Sequence, residues 1–188
     1  MILSRWNVAL VEDLLVGPGA SGSQKHLVYG WAIAASIGSA VWLALTDDPE
    51  PWKVLAVSLI AFDIAGGAVA CSMEPLQRAH LRRYASSLSR LAFSLLHLPH
   101  VLLILWLLSA DAWPTMLLGT ITLVAGSVVS SMASTSVCRG VQTAAFLVSA
   151  SASFSTLSST TLQGILLMAL FYKLFVAFPS FQAARLGT

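Results

Sequence analysis

Six long apolar stretches constrain the fold of this chain more than any other feature of its sequence. A helix needs about 20 mostly apolar residues to cross a hydrocarbon layer about 30 Å thick. The stretches that reach or approach this length are residues 27–46, 53–73, 91–110, 113–133, 141–157 and 162–178. The sequence therefore predicts an all-α, polytopic integral membrane bundle of about six transmembrane helices. A count of five stays open because the fifth stretch is short and rich in serine.

The composition of the chain supports the same structural class. Of its 188 residues, 57% are hydrophobic and only 10% are charged, and the mean hydropathy is +0.82. A soluble domain carries about 25% charged residues, so this chain has too little charge to cover a surface that faces water. A soluble globular enzyme is excluded on this ground. A nucleic-acid binder is excluded as well, because a net charge of +2 provides no basic patch.

The basic residues predict how the spans are oriented. With six spans and both termini in the cytoplasm, eight of the ten basic residues fall on the cytoplasmic side, which is the positive-inside pattern. These eight are Arg5, Lys25, Arg78, Arg82, Arg83, Arg90, Arg139 and Arg185. Lys53 falls outside, and Lys173 falls inside the last span. We therefore expect a multi-pass protein of the cytoplasmic membrane, with the lipid bilayer as its main partner.

The two ends of the chain form segments of their own. Apolar residues recur at near-helical spacing over the first 15 residues, and a Gly-Pro-Gly sequence at 17–19 then interrupts the pattern. This predicts an N-terminal cytoplasmic segment, 1–25, with a short amphipathic helix at the membrane interface. A partly ordered tail is the alternative. The transmembrane bundle then covers 26–179, and 180–188 form a short cytoplasmic tail.

Three ionisable side chains lie deep inside the predicted spans, where such groups are functional candidates by default. Asp63 lies ten residues before the cytoplasmic end of the second span, and His100 lies nine residues after the cytoplasmic start of the third. At 1.5 Å per residue, both lie about 15 Å from the inner boundary. His97 and His100 share a helix face because they are three residues apart. An antiparallel pairing of the two spans would therefore bring Asp63 to His100 or His97.

Glu74 extends this candidate site towards the cytoplasm. It follows Asp63 by eleven residues, or about three helical turns, so it falls on nearly the same face. Gly66, Gly67 and Ala70 form a strip of small residues that lets another helix approach Asp63 closely. The candidate catalytic residues are therefore Asp63, His97, His100 and Glu74.

Three interpretations of the Asp–His cluster stay open at this point. It is a buried hydrogen-bonded pair that fixes helix register, an acid/base catalyst, or a proton or cation relay. A metal site is disfavoured, because histidines three residues apart across Pro99 are awkward ligands and no HExxH pattern is present. No cofactor is predicted.

The leading hypothesis is a membrane-embedded enzyme that uses acid/base chemistry on a lipid-like or isoprenoid substrate. Cyclisation or isomerisation, as in a membrane terpene cyclase, would fit a single deep carboxylate with two histidines at the same depth. The alternatives are a small proton- or cation-coupled carrier or channel, and a non-catalytic membrane subunit. The sequence does not indicate an oligomeric state.

Overall fold

The computed structural model describes residues 12–13, 15–46, 49–83, 86–108, 112–132, 138–152 and 161–177, and its regular structure within these ranges is entirely helical. The helices are α1 Gly22–Thr46, α2 Pro51–Cys71, α3 Glu74–Arg83, α4 Ser87–Leu95, α5 Leu98–Leu108, α6 Ala112–Met132, α7 Cys138–Ala152 and α8 Thr161–Tyr172. A π-helical turn, Lys173–Ala177, follows α8 directly.

Three helical segments are long and apolar enough to cross a membrane, namely α1, α2 and the run Ser87–Leu108 that contains α4 and α5. They comprise 25, 21 and 22 residues, against the 20 or so that a bilayer requires. Two further apolar helices are shorter, at Trp113–Val129 and Thr161–Ala177. In the fifth predicted stretch, α7 covers Cys138–Ala152, and 153–160 lie outside the described residues.

The core of the bundle is centred on α8. This helix packs against α2, α5 and α7, while α1 and α2 pair with each other as a helical hairpin. Leu167, Leu170 and Phe171 of α8 are completely buried. Large apolar side chains also cover the outside of the bundle, for example Leu45 and Trp113, each more than 80% exposed. A surface of this kind is what helices present to lipid rather than to water.

The third predicted span is interrupted, which corrects the expectation of one helix over 91–110. α4 ends at Leu95 and α5 begins at Leu98, with a turn between them. Pro99 lies in the first turn of α5, where its missing N–H removes no helical hydrogen bond. The proline therefore favours the start of a new helix, and this break sets the direction of the next turn, which carries His100.

The predicted N-terminal segment is described only in part, because 1–11 and residue 14 lie outside the described residues. The chain leaves its short helical stretch at Gly17, which has a φ of +98°. A Cβ at Gly17 would lie 2.3 Å from the backbone nitrogen of Leu76 in α3, so only glycine permits this contact. Val16 beside it is completely buried. α1 begins at Gly22, inside the segment predicted to precede the bundle. The tail 180–188 lies outside the described residues.

Candidate functional site

Asp63 is the centre of a cluster of charged and polar groups that come from three separate elements. Lys173, in the π-helical turn after α8, donates a hydrogen bond from Nζ to Asp63 Oδ2 at 2.9 Å. His100, in the first turn of α5, places Nε2 3.2 Å from the same oxygen. The Lys173 ammonium also lies 3.4 Å from the backbone carbonyl oxygen of Asp63. We refer to Asp63, Lys173 and His100 as the ion cluster.

Gly67 makes room for the lysine in this cluster. A Cβ at position 67 would lie 2.4 Å from both Cε and Nζ of Lys173, a separation far inside van der Waals contact. The lysine side chain therefore runs across the bare backbone of α2 at Gly67 and reaches Asp63 one turn further along. Only 5% of the Lys173 side chain is exposed. Its charge is thus buried and depends on Asp63 for compensation.

The two histidines have different partners. His100 contacts Asp63, as the depth argument allowed, and its other ring nitrogen, Nδ1, is buried with no hydrogen-bond partner among the described residues. His97 instead donates a hydrogen bond from Nδ1 to the carbonyl oxygen of Phe93 at 2.9 Å. The imidazole centroids of His97 and His100 are 5.4 Å apart. His97 therefore lies beside the ion cluster without touching the carboxylate.

A small pocket of about 150 Å³ opens beside the carboxylate of Asp63. α1 and α2 form most of its wall, and Leu15 from the N-terminal segment closes one end. The side chain of Asp63 is 43% exposed, in contrast to that of its buried partner Lys173. The residues that line the pocket are Leu15, Val28, Tyr29, Ala32, Phe62, Asp63, Gly66 and Gly67.

Glu74 is not brought to the ion cluster. It is the first residue of α3, where it forms an exposed ion pair with Arg78. It lines a separate cavity of about 410 Å³ together with Pro18 and Gly19. Cys71, which lies between Asp63 and Glu74 along the chain, is buried in a small apolar cluster with Val16 and Leu76. Apolar packing therefore lies between Glu74 and the ion cluster, although the sequence placed the two carboxylates on nearly the same face.

The sequence places Lys173 in the last predicted span but gives it no partner. Its depth in the predicted membrane is the sequence signal that relates it to the second span. Lys173 lies five residues before Phe178 at the predicted cytoplasmic end of its span, and Gly67 lies six residues before Met73 at the end of the second. At 1.5 Å per residue, both backbones lie about 8–9 Å from the inner boundary. A lysine side chain spans the remaining turn to Asp63.

A carboxylate with two cationic or proton-donating neighbours has a limited chemical repertoire. It can bind a cation or a hydrogen-bond donor from the pocket, or exchange a proton with such a group. Among the described residues, no group of three His, Cys, Asp or Glu side chains is placed to hold a metal ion. Comparisons with models of protein families, with curated proteins and with solved structures find no match to this chain.

Proposed function

We propose that the protein is a small integral membrane carrier for a monovalent cation. Asp63 binds the transported cation, and Lys173 neutralises Asp63 when the cation is absent. His100 holds the carboxylate in place through Oδ2. The observation that carries this proposal is the asymmetry around Asp63. Its carboxylate is compensated from the core side by Lys173 at 2.9 Å, yet 43% of its side chain remains exposed beside a pocket.

The proposal includes a topology of six spans with both termini in the cytoplasm. Support comes from the three helical segments long enough to cross, the two shorter apolar helices and the distribution of basic residues. Residues 12–20 then lie at the cytoplasmic face, where Val16 packs on α3. In this arrangement the ion cluster lies within the hydrocarbon region, and the pocket lies where α1 packs against α2.

A tethered lysine solves an electrostatic problem of such a carrier. An uncompensated carboxylate inside a bilayer costs at least a few kcal/mol, so an empty site with a bare Asp63 would be strongly destabilised. Lys173 keeps the empty site close to neutral. An incoming cation then competes with Lys173 for the same carboxylate. When the cation takes its place, Lys173 releases its proton to water and stays behind as a neutral amine, since a displaced ammonium would be left buried without compensation.

Interruptions in two of the three contributing elements also favour a carrier. His100 follows the break between α4 and α5, and Lys173 begins the π-helical turn after α8. Ion sites of transporters are typically built where transmembrane helices are discontinuous, and π-helical turns are frequent at functional sites. A purely structural ion pair needs neither feature.

Transport by purified protein in proteoliposomes tests this function. Vesicles are loaded with a dye that reports membrane potential or pH and are exposed in turn to Na⁺, K⁺ and a set of small organic cations. We expect a response to at least one cation that empty vesicles lack. Asp63→Asn abolishes that response, whereas Glu74→Gln, which removes a carboxylate outside the cluster, retains it. A wild-type response no larger than that of empty vesicles for every cation contradicts the proposal.

An acid/base enzyme is the second candidate, and the position of the pocket beside Asp63 favours it. At about 150 Å³ the pocket is smaller than the roughly 300 Å³ of the smallest typical ligand sites. Only the polar end of a lipid-like or isoprenoid molecule would therefore enter, with its chain left in the bilayer. Incubation of the protein with a membrane lipid extract, followed by mass spectrometry, tests this. A product that forms with wild-type protein and not with Asp63→Asn supports the enzyme.

A further inference from the structure

The pocket beside Asp63 indicates what kind of cation the protein takes. We infer that it binds a small organic ammonium ion, with the ammonium group on the Asp63 carboxylate and the carbon chain against the aromatic wall. The inference rests on the proposed carrier function and names the class of its solute. Three features of the pocket support it, namely the carboxylate oxygen to which no described residue donates, the aromatic lining and the volume of the cavity.

The carboxylate has one oxygen left for a ligand. Both hydrogen bonds that described residues give to this group, from Lys173 and His100, end on Oδ2. Oδ1 is therefore the oxygen on which an ammonium ion from the pocket first binds, before Lys173 leaves Oδ2. Among the described residues that line the pocket, Asp63 alone carries a charge. An occupant with a positive charge and an N–H donor is thus the chemical complement of this wall.

Two aromatic side chains separate an organic ammonium from a hydrated metal cation. Phe62 in α2 and Tyr29 in α1 both line the pocket. Aromatic faces attract ammonium groups and pack against their alkyl carbons. Na⁺ and K⁺ need several oxygen ligands in place of water, and these two side chains provide only the phenol oxygen of Tyr29. The rest of the wall consists of aliphatic side chains and glycine. This combination of one carboxylate with aromatic and aliphatic walls fits an alkylammonium ion.

The volume of the pocket limits the size of the ion. A cavity of about 150 Å³ is the size that accommodates benzene in a protein interior, which corresponds to about six non-hydrogen atoms. Butylammonium, with five such atoms, fits this limit. Ions with long chains or several rings exceed it unless their far end remains in the bilayer.

Binding of butylammonium to the full chain in lipid nanodiscs tests the inference. Radiolabelled butylamine is equilibrated with protein-containing and empty nanodiscs at a pH at which the amine is protonated. Labelled 1-butanol and butyrate provide a neutral and an anionic probe of nearly the same shape. We expect saturable binding of butylammonium and none of the other two. Equal binding of butylammonium and 1-butanol, or no saturable binding of butylammonium, overturns the inference.

Variants show whether the bound ion lies in this pocket. Asp63→Asn weakens butylammonium binding by about 10- to 100-fold, since a charge-assisted hydrogen bond is lost. Tyr29→Ala weakens it by about 2- to 30-fold, and Tyr29→Phe, which keeps the ring, recovers most of that loss. Leu15→Trp fills the pocket without removing a charge from the ion cluster and blocks binding. Glu74→Gln serves as the control outside the pocket. If Leu15→Trp and Tyr29→Ala both bind like wild type, the ion lies elsewhere and the inference fails.

The two proposals fail in different ways. If butylammonium binds in the pocket and no cation drives flux in proteoliposomes, the ligand class stands and the carrier function is wrong. If K⁺ or Na⁺ drives flux that depends on Asp63 while butylammonium neither binds nor competes, the carrier stands and the ligand class is wrong.

Discussion

Two of the carboxylate–cation pairs among the described residues have their carboxylates on neighbouring helices, α2 and α3, and these two pairs differ in almost every physical respect. Asp63 and Lys173 are 110 residues apart and join α2 to the turn after α8, with the lysine buried. Glu74 and Arg78 are one turn apart on α3, and each side chain is 61% exposed. The first pair connects two distant segments of the chain next to a pocket, whereas the second pair lies on the exposed surface of a single helix.

The same kind of ion pair has different energetic consequences when it is exposed and when it is buried. An exposed pair on one helix contributes only a few tenths of a kcal/mol because water screens it. In a buried pair, the removal of one partner leaves the other charge without compensation, which costs several kcal/mol. Both carboxylates line a cavity, but only Asp63 is paired with a buried cation. This difference is why we propose Asp63, and not Glu74, as the binding residue.

The largest effect is expected for Asp63→Asn. It leaves the ammonium of Lys173 buried against a neutral amide, and we expect the free energy of unfolding to fall by about 3–5 kcal/mol. Titration of the detergent-solubilised protein with a denaturing detergent, followed by tryptophan fluorescence, measures this change.

The double variant Asp63→Asn/Lys173→Met is the control for that experiment. It removes both charges and replaces the lysine by an apolar chain of similar length, so most of the lost stability should return. A double variant as unstable as Asp63→Asn alone, or a single variant as stable as wild type, would show that the buried Lys173 charge does not depend on Asp63.

An intermediate effect is expected for Gly67→Ala. The added methyl group occupies the position of the Lys173 ammonium, so the lysine must move and the protein is destabilised by about 1–3 kcal/mol. Gly30→Ala on α1 is the matched control, because a Cβ there meets nothing within 4 Å. It should stabilise α1 by up to about 1 kcal/mol. The same denaturant titration measures both variants, and equal shifts for the two would contradict the lysine path across Gly67.

The smallest effect is expected for Glu74→Gln. Loss of its exposed pair with Arg78 should change the free energy of unfolding by no more than about 0.5 kcal/mol and leave cation flux unchanged. Stability and proteoliposome flux are measured in parallel with Asp63→Asn. A loss of flux in Glu74→Gln would erase the contrast between the two pairs and restore Glu74 to the candidate site.

The sequence predicted the depth at which the site lies better than it predicted which residues form the site. Helical rise along the chain placed Asp63 and His100 at one level, and the structure brings them to 3.2 Å. Rise alone does not give the rotation of a helix about its axis, so the sequence left His100 and His97 as alternative partners of Asp63. In the structure His97 bonds to Phe93 instead. The helical rise compares the depths of backbones and not of side-chain ends. It therefore did not pair Lys173 with Asp63, because the lysine side chain reaches one helical turn beyond the depth of its own backbone.

Other features of the site depend on contacts that periodicity does not encode. The sequence does not predict the break before α5, because a proline inside an apolar run does not reveal whether the helix bends or restarts. Leu15 belongs to the pocket because Gly17 turns the chain onto α3. That contact joins residues about 60 positions apart, and no local pattern predicts it.

The central claim is that Asp63 holds Lys173 in the empty state and exchanges it for an incoming cation. The chain has three lysines, so Lys25→Arg and Lys53→Arg leave Lys173 as the single lysine for ¹⁵N labelling. Solid-state NMR in bilayers then measures the dipolar coupling between Lys173 Nζ and ¹³C-labelled aspartate carboxyl groups. We predict a strong coupling without ligand and its loss at saturating butylammonium. An absent coupling in the empty protein, or one that butylammonium leaves unchanged, would contradict the account.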